Sequence, residues 1–199
     1  MKAFLVLFSV FLTALLSFAA WFYVSTITEY DSEWQSLATM PMPRSEIAAA
    51  ALDQQLHIAG GIGRLKTLDA FERYDIANNY WEPLTPLPAT RHHVAMATLN
   101  GEIYAVGGFS TLSFKASANA WAYSPPNNSW RAIAPLPEAR GELALVKVGD
   151  SLYVVAGSSS RSQEVWKYSL TNNAQWAVVG QPMPTARDSA AAVVLDKSI

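Results

Sequence analysis

Few residues in this 199-residue chain are equipped for chemistry, and their spacing says more than their number. Four arginines, Arg44, Arg91, Arg140 and Arg187, recur at intervals of 47, 49 and 47 residues. Gathered in a ring, such guanidinium groups would suit an anion. A residue that returns at a fixed period is more simply structural, because its five donors can bridge several carbonyls or a neighbouring unit's carboxylate. The histidines are His57 and the adjacent His92 and His93. Neighbours on an extended strand point to opposite faces, which argues against one metal ion held by the pair. Cysteine is absent, which removes disulfides, thiolate metal centres and a Cys nucleophile. The chain has no Gly-x-Ser-x-Gly elbow and no phosphate loop with Lys-Ser or Lys-Thr, so serine hydrolase and P-loop chemistry lack support. Gly60-Gly61-Ile62-Gly63 is followed by no helical pattern and reads as a turn, not a dinucleotide site. Asn127-Asn128-Ser129 is an acceptor sequence for N-glycosylation, but it lies where a turn favours Asn anyway. No cofactor and no metal are expected.

The elements that position these residues repeat. Trp34, Trp81, Trp130 and Trp176 are spaced by 47, 49 and 46 residues, in step with the arginines. Each arginine follows a proline-bearing turn: Met-Pro-Met-Pro, Leu-Pro-Ala-Thr, Leu-Pro-Glu-Ala or Met-Pro-Thr-Ala. Between arginine and tryptophan lie Gly60-Gly61, Gly107-Gly108 and a drifted Ala156-Gly157, then Tyr74, Tyr123 and Tyr168. Asn100-Gly101, between two short apolar runs, is a strong hairpin signal because both residues tolerate positive φ. Asp53-Gln54 and Gly149-Asp150 occupy the same place, and Asn78-Asn79, Asn127-Asn128 and Asn172-Asn173 mark a later turn. Four short antiparallel strands per unit of 40–50 residues is the signature of a propeller blade. Small residues, Ala48 to Ala51, Ala95, Ala97, Ala144 and Ala190 to Ala192, fall on the inner strands, which crowd round the axis, and the aromatics fall on the wide outer end. The periodic tryptophans are expected to pack in the core or between blades, and Trp121 and Trp166 to share a strand face with the Tyr two residues on.

Pro-x-x-Arg or Pro-Arg, Ile103-Tyr104-Ala105-Val106-Gly107-Gly108, Tyr-Asp and Trp at this spacing resemble kelch repeats, over about Trp34 to Ile199. The resemblance implies an all-β, kelch-type propeller with three complete four-stranded blades plus partial ones. Arg44, Arg91, Arg140, Arg187, Gly60, Gly61, Gly107, Gly108, Trp81, Trp130 and Trp176 are then its structural motif residues. In similar propellers that serve as substrate adaptors, ligand contacts come from the residues after the motif arginine and after the glycine pair. Carried onto this chain, those places hold Ser45, Glu46, His92, His93, Gly141, Glu142, Asp188 and Ser189, with Ile62, Phe109 and Ser158 after the glycines. The set is mixed and partly acidic, so it suits a polar neutral or cationic ligand better than an acidic peptide. The alternative is that these are solvated loop ends.

Two function classes stay open: a noncatalytic module that binds a protein or a small carbohydrate, which is favoured, and a carbohydrate-active propeller similar to bacterial sialic acid mutarotases. No catalytic residue is carried over. Glu46 and Glu142 would be acid–base groups only if a sugar lay across the mouth. Galactose oxidases share the fold, but their Tyr–Cys crosslink cannot form here. A net charge of −2 with 15% charged residues excludes a nucleic-acid footprint and a polybasic lipid patch. The 51% hydrophobic content excludes an intrinsically disordered chain.

Part of that content is an apolar run from Ala3 to Val24 after Lys2. Residues 1–24 read as a signal peptide or a signal-anchor transmembrane helix. The 22 residues reach the length of a membrane span, while Ser17-Phe18-Ala19 would permit cleavage before Ala20. Either way, Lys2 before the run and Glu29, Asp31 and Glu33 after it place the rest in the periplasm or cell exterior, secreted or held to the membrane. Residues 25–33 form a linker and 34–199 a partial propeller, with repeats at about 44–81, 91–130 and 140–176 and a further one starting at 187. The motif arginine precedes the second strand by 12 residues each time, at Leu56, Ile103, Leu152 and Ile199. The chain is therefore expected to be the N-terminal part of a longer one, with Trp34 on the outer strand of a last blade. The rival is closure by oligomerisation if Ile199 is the true end.

Overall fold

The computed structural model describes residues 34–171, 173–196 and 199. The chain divides into two compact units, Met1–Leu37 and Ala38–Ile199. The expected signal or anchor segment and the linker lie outside the described residues. Among the described residues no helix is long and apolar enough to cross a membrane.

The second unit is built from hairpins. Blade 1 consists of β1 (Ala48–Leu52), β2 (Gln55–Ala59), β5 (Phe71–Asp75) and β6 (Tyr80–Pro83), with a small extra hairpin of β3 (Ile62–Gly63) and β4 (Lys66–Thr67) in its loop. Blade 2 consists of β7 (Ala95–Leu99), β8 (Glu102–Val106), β9 (Ala120–Ser124) and β10 (Ser129–Ala132). Blade 3 consists of β11 (Ala144–Val148), β12 (Ser151–Val155), β13 (Val165–Ser169) and β14 (Gln175–Val179). All pairings are antiparallel in meander order. The first turn of each blade is where Asp53-Gln54, Asn100-Gly101 and Gly149 take positive φ, as the hairpin reading requires.

Two apolar layers join the blades. Ala48, Ala50, Ala59 and Phe71 of blade 1 pack on Met96, Ile103, Ala105, Trp121 and Tyr123 of blade 2. The opposite face of blade 2, with Ala95, Tyr104, Val106 and Ala122, packs on Leu145, Leu152, Val154, Trp166 and Tyr168 of blade 3. Trp121 with Tyr123, and Trp166 with Tyr168, share a face as expected. The inner strand β7 lies beside both β1 and β11, and its alanines permit that approach.

The periodic tryptophans fasten each outer strand to the connector before it. Trp81 donates its indole N–H to the Ala38 carbonyl, Trp130 to Thr85 and Trp176 to Ala134, at 2.9, 3.0 and 2.9 Å. Each packs at a tilt against the tyrosine opposite in register, Tyr74, Tyr123 or Tyr168, with ring centroids 5.1 Å apart. Trp34 departs from the expected packing, since it is 86% exposed and the described residues that follow it form no strand.

The glycine pairs close the gaps between blades. The second residue of each pair donates its N–H to the carbonyl of the next motif arginine: Gly61 to Arg91, Gly108 to Arg140 and Gly157 to Arg187, at 2.8, 2.9 and 3.0 Å. A Cβ at Gly107, φ +69°, would lie 2.4 Å from the Arg140 carbonyl oxygen, so no side chain fits there without moving backbone. The drifted Ala156 keeps the same left-handed conformation at φ +58° and is fully buried. The expected inner strand at Ala190–Ala192 does not form among the described residues. The described residues offer it no second strand to pair with, and an unpaired strand has nowhere to place its N–H and C=O groups.

Candidate functional site

The motif arginines are structural wherever the fold buries them. The Arg140 guanidinium donates to the carbonyls of Ala156 (2.9 Å), Glu164 (3.2 Å) and Arg161 and to the Ser159 hydroxyl (3.1 Å), and it lies 3.6 Å from the Trp166 ring centroid. Arg91 donates to Ser117 Oγ and Asn119 Oδ1 and sits over Trp121. Arg44 forms an ion pair with Glu72 at 2.7 Å. Glu72, Trp121 and Trp166 hold one repeat position, two residues before the tyrosine, so a carboxylate in blade 1 does what a ring does in blades 2 and 3. Burial lowers the pKa of Arg91, and pushes that of Arg140 down to about 10, against the pull of Glu138 and Glu164. Both stay cationic at neutral pH and are spent on their own blades. Arg187 differs in that its side chain is exposed.

In the first three repeats the residue after the arginine and the residue after the glycine pair meet in an isolated antiparallel bridge: Ser45 with Ile62, His92 with Phe109 and Gly141 with Ser158. The bridge pins the loop, and the next residue turns sharply. Glu46, His93, Glu142 and Ser189 all take positive φ, at 56°, 51°, 54° and 47°. This left-handed step aims four successive side chains at one place. They line a single cavity of about 300 Å³ together with the residues that follow them, Ile47, Val94, Leu143 and Ala190. It lies beside the start of the inner strands β1, β7 and β11.

Four of the sequence-derived site residues, Glu46, His93, Glu142 and Ser189, share this cavity. His93 Nε2 is 2.8 Å from Glu46 Oε2 and 3.7 Å from Glu142 Oε1, so the blade 2 imidazole lies between carboxylates of blades 1 and 3. The His93 N–H also donates to the Glu46 carbonyl at 3.1 Å. Four further candidates, His92, Phe109, Ser45 and Asp188, are placed differently. His92 is fully buried, with Nδ1 2.7 Å from His93 Nδ1 and Nε2 2.9 Å from the Thr111 carbonyl. Phe109 is buried as an interblade wedge, its ring filling the space a Cβ at Gly141 would need, 2.4 Å away. Ser45 spends its backbone on the bridge to Ile62. Asp188 lines a separate hollow with Ser158, Ser159 and Arg187.

The two imidazoles therefore touch, contrary to the alternation expected of an extended strand. His93 is in the left-handed region, where successive side chains no longer alternate. Among the described residues no group of three His, Asp or Glu is arranged to hold a metal ion. Sequence reasoning passed over Phe114. Its ring lies 5.2 Å from that of His92 and 5.9 Å from that of His93, it is 52% exposed, and φ is +57°. A bulky residue held at positive φ is an outlier of the kind that collects at binding sites. Its loop differs in length and composition from those of the other blades, so the repeat carried no signal for it.

A comparison with curated proteins finds no match to this chain. The kelch-motif family model matches residues 43–88 and 90–137. Blades 1 and 2 thus carry kelch motifs, and blade 3 repeats their strand order, arginine cage and tryptophan hook in a β-propeller module.

Proposed function

We propose that this chain is an exported kelch-repeat propeller that binds a polar neutral or cationic ligand, on a partner protein or a small carbohydrate, at its axial mouth without transforming it. One observation carries the reading: the second residue after the motif arginine in every repeat reaches the same cavity, and those residues are Glu46, His93, Glu142 and Ser189. Function in a propeller resides in such convergent loops and not in the fold itself. The lining includes no Lys or Arg, which disfavours anions.

The test is a peptide and glycan array probed with the full chain and with the variants His93→Ala and Glu142→Ala. Ligands captured by the mouth are lost from both variants while their thermal unfolding stays cooperative. Ligands retained by both would place binding elsewhere.

The second reading, a propeller similar to sialic acid mutarotases, keeps Glu46 and Glu142 as acid–base groups. It fails if free sialic acid interconverts its anomers no faster with the protein than in buffer, followed by proton NMR. Its weakness is that the substrate is an anion facing carboxylates.

The half-buried apolar face of blade 3, where Tyr153, Val165 and Val179 line a hollow, suits packing against a further blade from a longer chain or a second copy. The mass of the native protein tells these sources apart. The apolar run in residues 3–24 supports an extracytoplasmic location, which protease accessibility in intact cells would test.

A further inference from the structure

The hydrogen-bonding atoms at the axial cavity do not balance among themselves, and their surplus has a definite shape. His92 Nε2 faces the Thr111 carbonyl, an acceptor only, so it carries a proton. With neutral His92, its Nδ1 is then an acceptor, and His93 Nδ1, 2.7 Å away, must be the donor. That leaves His93 Nε2 as the group pointing into the cavity, against Glu46 Oε2 at 2.8 Å and Glu142 Oε1 at 3.7 Å. The titratable groups facing the His93 ring are these two carboxylates, one from each flanking blade, and His92 behind it. Three acceptor atoms thus converge, and one proton on Nε2 is all that this group of side chains can place among them. Neither carboxylate has another ionic partner among the described residues.

We infer that the cavity takes a primary ammonium group on an alkyl stem, as on a lysine side chain of a partner protein; this rests on the mouth reading above. An ammonium has three N–H donors on one atom, one each for Glu46 Oε2, Glu142 Oε1 and the Nε2 lone pair of neutral His93. Ile47, Val94 and Leu143 line the same cavity and receive the methylenes. The Glu46 side chain is 44% exposed and free to swing aside as the cation enters. An ammonium has donors and no acceptor, so it meets Nε2 only through that lone pair. A guanidinium, planar and wider, does not present its donors to three atoms grouped round a single point.

The experiment is isothermal titration of the full chain with Nα-acetyl-lysine methylamide. Its comparators are the norleucine analogue, which keeps the stem without the ammonium, and the Nε-trimethyl analogue, which keeps the charge without donors. The expected result is binding of the lysine probe at a single site. Both analogues and the Glu142→Gln variant should bind at least about tenfold more weakly, the scale of one lost charged hydrogen bond. His93→Ala, which removes the Nε2 acceptor, should weaken binding of the lysine probe while thermal unfolding shows the fold retained. Equal binding of the trimethyl analogue would overturn the inference. So would failure of every amine together with array ligands that still depend on His93 and Glu142, and in that case the mouth reading survives alone. Loss of both dependences would remove the mouth reading too.

Discussion

Acidification should destabilise this propeller through His57, and the size of the effect can be worked from its surroundings. His57 is on β2, 2% exposed, stacked on Phe71 with ring centroids 5.8 Å apart and opposite Arg73 in register. Burial first, and the Arg73 charge second, pull its pKa from the ordinary 6.5 to about 4, against a smaller opposing effect of Asp53. Above pH 6.5 the imidazole is neutral in both folded and unfolded chains and contributes no pH dependence. Below it the unfolded chain takes up a proton that the folded one refuses, so stability falls as pH drops and stops falling near pH 4. At about 1.4 kcal/mol per pH unit the total loss is about 3 kcal/mol, a large part of the 5–15 kcal/mol typical of a domain. Asp75 and Glu164, whose pKa values are lowered by their hydrogen bonds to Asn78 and Trp166, push in the same direction at lower pH. The assay must therefore be a difference. Urea unfolding followed by tryptophan fluorescence from pH 7.5 to 4 should give a steeper loss for the natural chain than for His57→Gln, with the gap growing to about 3 kcal/mol. Parallel curves for the two proteins would refute the reasoning and mean that His57 is protonated in the folded state.

Three other perturbations test the cages and the glycine pairs. Arg140→Met removes the guanidinium that satisfies the carbonyls of Ala156, Glu164 and Arg161, and should cost about 3 kcal/mol or more in denaturant unfolding, because buried carbonyls are left without donors. A loss under about 1 kcal/mol would mean that the cage carries no weight. Gly107→Ala drives a Cβ to 2.4 Å from the Arg140 carbonyl and should cost at least about 2 kcal/mol. Ala156→Gly relieves a left-handed alanine and should change stability by about 1 kcal/mol or less, toward greater stability. Equal effects in the two variants would show that the blade 2–blade 3 junction is no tighter than the one after blade 3.

Much of the fold was legible in the sequence because a repeat states its own register. The period of the arginines and tryptophans, the Asn and Gly turns, and the position two residues before each tyrosine are local features. Backbone conformation and strand alternation translate them directly into blades. The roles of Trp34 and Ala190–Ala192 were not legible that way, since a strand exists only with a partner and the partner is a matter of tertiary pairing.

For the site, the sequence by itself determined which positions converge: the residues after each motif arginine return at one interval, so the fold brings them to one end. Only the tertiary structure decided which of them face the opening. A left-handed turn at Glu46, His93 and Glu142 rotates these side chains into the cavity and drives His92 and Phe109 into the interior. The alternation rule holds for extended backbone and fails at that single φ. Likewise the sequence supplied four arginines of one motif, but the depth of each and the acceptors around it, a carboxylate at Glu72, side chains at Ser117 and Asn119 and bare carbonyls about Arg140, depend on how loops of different length close over the same slot.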